Sequence, residues 1–279
     1  ALMFGIGLGF SIYIYEKSRK LFPFIAGIFF FIASIFFMVI YPVFITPLFN
    51  KYTTLNHPEL EKSIKQTFKK AGIIVKNLYV MDASKRTLSG NAYVSGLGPT
   101  KEIVLYDNLL KDYNKEEILS ILAHELGHYI KNHVWLGILI FPVTNPVALI
   151  AFFYLFAIII DRLKKQNKAT TLFIPLIIMM LLITIWISMP FVNAGSRRME
   201  RDADAYSLSI TKNAGAFISS EVKISSKNTY MDYNPGLLYK ILYATHPSVV
   251  YRIGMGEAYK ITNTENIKAI REKNIKIIK

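Results

Sequence analysis

Residues 124–128 read His-Glu-Leu-Gly-His, and from Val134 the chain runs through Trp135 to Ile160 without a charged residue. These two runs together decide the reading of the fold. On a helix, His124 and His128 are one turn apart and share a face, so both imidazoles can reach one metal ion. Glu125 beside them can take a proton from a water polarised by that metal, the division of labour in the H-E-x-x-H pattern. The apolar run begins one or two turns later, which sets the site against a membrane.

The whole composition fits a membrane protein. Of 279 residues, 52% are hydrophobic, too many for an ordinary soluble domain. Charged residues are absent from Ala1–Tyr15, Leu21–Asn50, Val134–Ile160 and Ala169–Ser196. A bilayer core of about 30 Å needs roughly 20 apolar helical residues, so the last three stretches can each hold a span. The first looks like a truncated span, and the chain is expected to lack N-terminal residues or to be a processed product. The net charge of +14 comes with no nucleic-acid motif, so no nucleic-acid partner is expected. Lys17, Arg19, Lys20, Arg162, Lys164 and Lys165 flank spans, where a lipid bilayer's headgroups account for them. With no cysteine, disulfides and Cys-based metal sites are excluded.

The fold class expected is a multi-span α-helical membrane protein with a small α+β, zincin-like catalytic portion. Residues 1–50 and 134–196 form the transmembrane parts. Residues 51–133 form a catalytic segment, and 197–279 a catalytic tail. Span parity places the segment and the tail on one side of the membrane, with loops 16–20 and 161–168 on the other.

In the segment, Leu60, Ile64 and Phe68 predict a helix over 58–71 that stops at Gly72. Short strands are expected at Asn77–Met81, Asn91–Ser95 and Glu102–Tyr106, with Gly and Pro turn signals between the last two. Asn114 and Glu117 have the spacing of a capping box. No proline follows before Pro142, so one helix of roughly 40 Å is expected from Lys115 to Phe141. It would carry the histidine pair and the start of the next span on one rod. The last residues of the tail read as a frayed or solvated helix.

Two histidines leave a zinc site incomplete, because a catalytic zinc has three protein ligands and an open position. The third must be His, Glu or Asp. Glu200 follows the last span and returns to the same side as His124 by parity, which makes it the candidate. Asp204, one turn on, can hydrogen-bond a ligand histidine. His57 and His133 read as structural or solvated.

Several separated blocks resemble the type I CAAX prenyl endopeptidases, integral-membrane zinc metalloproteases. They are Ile40-Tyr41-Pro42 with Pro47-Leu48-Phe49, Ser84-Lys85-Arg86, Asn91-Ala92-Tyr93, 103–107, 124–128, 196–204, and His246-Pro247 with Arg252. The resemblance covers roughly Phe10 to Tyr259. Ser248 and Tyr251 stand where the family tends to have Pro and Glu. The resemblance implies membrane helices lining an intramembrane chamber, one Zn²⁺ per chain, and a prenylated CAAX protein as substrate. The last three residues of that substrate would be removed. It also implies that the strand with Asn91 and Tyr93 holds the substrate backbone as a sheet edge. His246 would stabilise the oxyanion, supported by Arg252. The membrane would be the endoplasmic reticulum in a eukaryote or the plasma membrane in a bacterium. Competing readings are a quality-control metalloprotease of the heat-shock type and a non-catalytic membrane scaffold or lipid-binding protein.

Overall fold

The structure, a computed structural model, describes residues 2–40, 45–95, 100–141, 145–165, 169–227 and 233–278. In chain order the helices are α1 (Leu2–Lys17), α2 (Phe22–Ile40), α3 (Thr46–Phe49), α4 (Pro58–Lys70), α5 (Asp107–Asp112) and α6 (Lys115–Ile130). They continue with α7 (His133–Ile140), α8 (Pro146–Lys164), α9 (Ala169–Thr211), α10 (Ala214–Lys227), α11 (Leu237–Leu242) and α12 (Val249–Ile278). Four strands are β1 (Tyr52–Thr54), β2 (Ile74–Met81), β3 (Ala92–Ser95) and β4 (Thr100–Tyr106). The turn signals at 96–99 and the Tyr41-Pro42 block lie outside the described residues.

The chain divides into two compact units: residues 1–48, 134–195 and 241–243, and residues 49–133, 196–240 and 244–279. In the first unit, Phe22, Phe153, Phe156 and Phe173 form a buried aromatic centre. Phe22 meets Phe153 edge-on at 5.6 Å, and Phe156 meets Phe173 at 4.8 Å. Edge-to-face rings at these separations contribute beyond their buried area. Gly27 lets α2 and α8 touch: a Cβ there would lie 2.7 Å from Ile150 Cγ1 and 3.0 Å from its backbone nitrogen. The outer faces are apolar too, with Leu182, Trp186 and Phe191 of α9 all exposed. Only lipid or another apolar surface suits such a face. Among the described residues, α8 and the stretch Leu172–Thr211 are long and apolar enough to cross a membrane.

In the second unit, a sheet of order β1-β2-β4-β3 packs against helices. The β2–β4 pair is parallel, while β1 and β3 run antiparallel to their neighbours. Leu60, Ile64 and Phe68 of α4 are buried against Ile103 and Leu105 of β4 and Leu122 and Leu126 of α6. The expected helix over 58–71 is present. His57 caps it by accepting the Leu60 N–H, a structural role, and Gly72 ends it at φ +74°. In that left-handed region glycine has no steric cost.

The expected rod from Lys115 to Phe141 is instead two helices. The chain turns at Asn132, whose φ is 55°, so α6 stops at Ile130 and α7 begins at His133. Asparagine tolerates the left-handed conformation, so no proline or glycine marks the break. The apolar run from Val134 is divided as well. Asn145 caps α8 by accepting the Val147 and Ala148 N–H groups, and Pro146 starts the new helix.

Candidate metal centre

The site is built on α6, and its first turn is pinned. Asn114 Oδ1 accepts the Glu117 N–H and Glu117 Oε2 accepts the Asn114 N–H, at 3.0 and 2.8 Å. This is the expected capping box. Glu117 also accepts bonds from Ser219 and Lys223 of α10, so its buried carboxylate is fully partnered. Ile118, Leu122 and Leu126 enter the core. That leaves His124, Glu125 and His128 on a half-buried face.

Helix α9 crosses this face at close range. A Cβ on Gly127 would lie 2.9 Å from the Ala203 Cα, and Ser207 Oγ donates to the Ser120 carbonyl at 2.7 Å. The glycine of His-Glu-Leu-Gly-His thus admits the backbone of the helix that carries Glu200. The three side chains converge. His124 Nε2 and His128 Nε2 are 3.0 Å apart, and they lie 3.2 and 3.4 Å from the two oxygens of Glu200.

These residues fit a metal ion. Ligands about 2.0–2.1 Å from a tetrahedral zinc are roughly 3.3 Å from one another, close to the three spacings seen. Two imidazoles and a carboxylate are also an ordinary donor set for that ion. Glu200 is buried, and its Oε2 makes no hydrogen bond despite its proximity to His124. A buried carboxylate oxygen without a donor is costly, and a cation would satisfy it.

Two different arrangements stand behind the histidines. His124 Nδ1 donates to Asp204 Oδ1 at 2.8 Å. Asp204 is fully buried and accepts the Nε–H of Arg252 at 2.8 Å, with a second bond from Nη2. The remaining arm of Arg252 ion-pairs with Glu221 of α10. Among the described residues no acid stands behind His128; its Nδ1 is 2.9 Å from Nδ1 of His133.

Electrostatics follow from this layout. Burial opposes a charge on His124, but the hydrogen bond to Asp204 and the nearby Glu200 carboxylate outweigh it and raise the pKa to about 10. The surroundings therefore favour positive charge at the ring, which a divalent cation would supply instead. Burial pushes the Glu125 carboxyl up, against the pull of the two neighbouring histidines. Glu221 is pushed to about 7 by burial, offset in part by Arg252.

The structure brings His246 into the same site: its Nε2 lies 3.5 Å from Glu200 Oε1, and its Nδ1 shares a bond with Thr245. Arg197, on α9 just before Glu200, donates to the carbonyls of Lys240 and Ala244 and holds the turn that leads to His246. Asn91 is exposed just before β3, and its side-chain oxygen accepts the Ala92 N–H. Tyr93 lies on β3, its hydroxyl 3.1 Å from that of Tyr52. Strand β3 is an edge of the sheet and packs on α6. Arg252 is buried, with its guanidinium engaged by two carboxylates.

The sequence reads His133 as structural or solvated and assigns no site role to Glu221 or Arg197. His133 lies five residues past His128, a spacing that points elsewhere on a continuous helix. Glu221 is an isolated acid in a serine-rich stretch, and Arg197 reads as a basic flank of a span.

Comparison with known proteins agrees with this picture. A family profile described as peptidase family M48 matches residues 54–257, and one described as CAAX prenyl protease N-terminal, five membrane helices, matches residues 1–51. The CAAX prenyl protease 1 of Saccharomyces cerevisiae is 34% identical, over 90% of this chain and 60% of its own. The uncharacterized metalloprotease YhfN of Bacillus subtilis is 33% identical, over 78% of this chain and 52% of its own. The crystal structure of S. mikatae Ste24p matches with a TM-score of 0.79 at 28% identity, covering 90% of this chain and 62% of that one. The chain thus spans half to three-fifths of the length of these relatives. With the histidine pair, Glu200 and the apolar helices already in place, the chain belongs to peptidase family M48, as an integral membrane protein.

Proposed function

We propose that the chain is a zinc-dependent endopeptidase that removes the C-terminal tripeptide of prenylated CAAX proteins. The observation that carries this reading is the convergence of His124, His128 and Glu200 with Glu125 beside them. The CAAX prenyl proteases among the similar proteins support the substrate class.

In this reading His124, His128 and Glu200 hold the zinc, and Asp204 orients His124. When bound, the ion supplies Lewis-acid polarisation of the scissile carbonyl and acidifies a water. Glu125 takes the proton of the attacking water on a carboxylate oxygen and delivers it to the leaving amine nitrogen. The water oxygen bonds to the carbonyl carbon and the C–N bond breaks. His246 donates Nε2–H to the oxyanion that develops. The free edge of β3, with Asn91 and Tyr93, pairs with the extended substrate backbone. Asn91 offers both a donor and an acceptor for that pairing. Arg252 supports the site through Asp204. The prenyl group lies in the bilayer, which brings the cleavage site to the membrane. Endoplasmic reticulum or bacterial plasma membrane are the two locations that fit.

The test is cleavage of a farnesylated CAAX peptide and its unprenylated twin by purified protein, each with and without a chelator. Selective, chelator-sensitive cleavage of the prenylated peptide is expected. Equal cleavage of both would replace this substrate class with general quality control. Absence of stoichiometric zinc would remove the catalytic reading altogether.

A further inference from the structure

We propose that His133 is a positioning residue for the metal centre, and that the left-handed turn at Asn132 exists to put it there. The inference rests on reading His128 as a metal ligand. A histidine that binds metal through Nε2 carries its proton on Nδ1 and needs an acceptor for it. His133 Nδ1 lies 2.9 Å from that nitrogen, and the two rings meet nearly edge-on, with centroids 4.9 Å apart at 76°. A neutral imidazole has one donor and one acceptor nitrogen, so acceptance at Nδ1 places the His133 proton on Nε2. The contact thus sets the tautomer and the tilt of His128 together. His133 is only 5% exposed, so bulk water does not compete for the bond.

The backbone explains how a residue five positions on reaches back. At about 100° per residue, positions i and i+5 of a continuous α-helix differ by roughly 140° and face apart. Here Lys131 N–H bonds to the Gly127 carbonyl and Asn132 N–H to the Tyr129 carbonyl, which closes α6. Asn132 then turns at φ 55°, and the next residue swings under His128. A straight rod, which the sequence permits, would carry His133 away from the site.

The experiment measures zinc affinity of the full chain in detergent by competition with a chelator, with melting temperature as the check on folding. His133→Leu keeps bulk but removes the acceptor and should weaken zinc binding by about 10–100-fold. His133→Asn, whose Oδ1 takes the place of Nδ1, should keep most of the affinity. His133→Leu binding zinc as tightly as the parent overturns the inference. If His133→Leu does not fold, His133→Asn decides: parental affinity supports the acceptor role, and a loss of tenfold or more overturns it. A parent chain without stoichiometric zinc defeats the metal reading itself. A parent with zinc and an indifferent leucine variant defeats only the role of His133.

Discussion

The two histidines of the motif are equivalent in sequence and unequal in structure. His124 is backed by a buried charged relay of Asp204, Arg252 and Glu221, drawn from three helices. His128 is backed by one neutral imidazole from its own chain neighbourhood. The first arrangement couples His124 to the packing of α9, α10 and α12, so disturbing it costs stability as well as geometry. The second depends on one turn of backbone, so disturbing it should cost ligand geometry with little loss of stability. Coupling to the wider fold, more than spacing in the motif, separates the two histidines.

Glu125 serves neither arm, and its replacement gives the largest expected effect. Glu125→Gln should lower turnover on the order of 10²–10⁴-fold while zinc content and melting temperature stay put. Retained proteolysis would take the general-base role away from Glu125. Next is the charged arm. Asp204→Ala leaves Arg252 short of a partner and His124 without its acceptor. Loss of a buried partner of this kind costs about 3–5 kcal/mol, visible in chemical or thermal denaturation, with weaker zinc binding besides. A variant as stable as the parent would make the two arms alike and dissolve the contrast.

Gly127 is common to both arms, because it sets how near α9 comes. Gly127→Ala places a methyl against the Ala203 backbone, which cannot yield as a side chain would. A destabilisation of about 1–3 kcal/mol is expected, with Glu200 pushed off the histidines and zinc affinity reduced. The smallest effect concerns the neutral arm. Asn132→Ala forces alanine into the left-handed region at about 1 kcal/mol, whereas Asn132→Gly should be close to neutral. Zinc affinity should fall in the alanine variant alone. A parallel fall in the glycine variant would show that the Asn132 side chain, not the turn, carries the effect.

Much of the fold was legible because its signals are local. The capping box at Asn114 and Glu117, the apolar spacing of α4, and Gly72 are statements about neighbours within a few residues. The apolar runs follow from the thickness of a bilayer. Glu200 was legible as a candidate for a different reason: without cysteine few ligand types remain, and span parity narrows where they can return. The break at Asn132 was not legible. Asparagine occupies helical and left-handed conformations at similar small cost, so only packing decides between them. Arg252 is buried between two carboxylates, a placement that no local pattern announces, because burial and pairing belong to three separate helices.

By itself, then, the sequence determined a membrane-bound H-E-x-x-H chain with Glu200 as a candidate third ligand. These features rest on periodicity, composition and ligand chemistry, all of which act over short range. Tertiary structure alone decided that Gly127 admits α9, that the donor atoms of His124, His128 and Glu200 come within 3.4 Å or less of one another, and that His133 turns back onto His128. Those outcomes depend on contacts between segments far apart in sequence, such as His124 with Asp204, separated by 80 residues. Their free energy comes from packing and desolvation, which exist only once the helices have met.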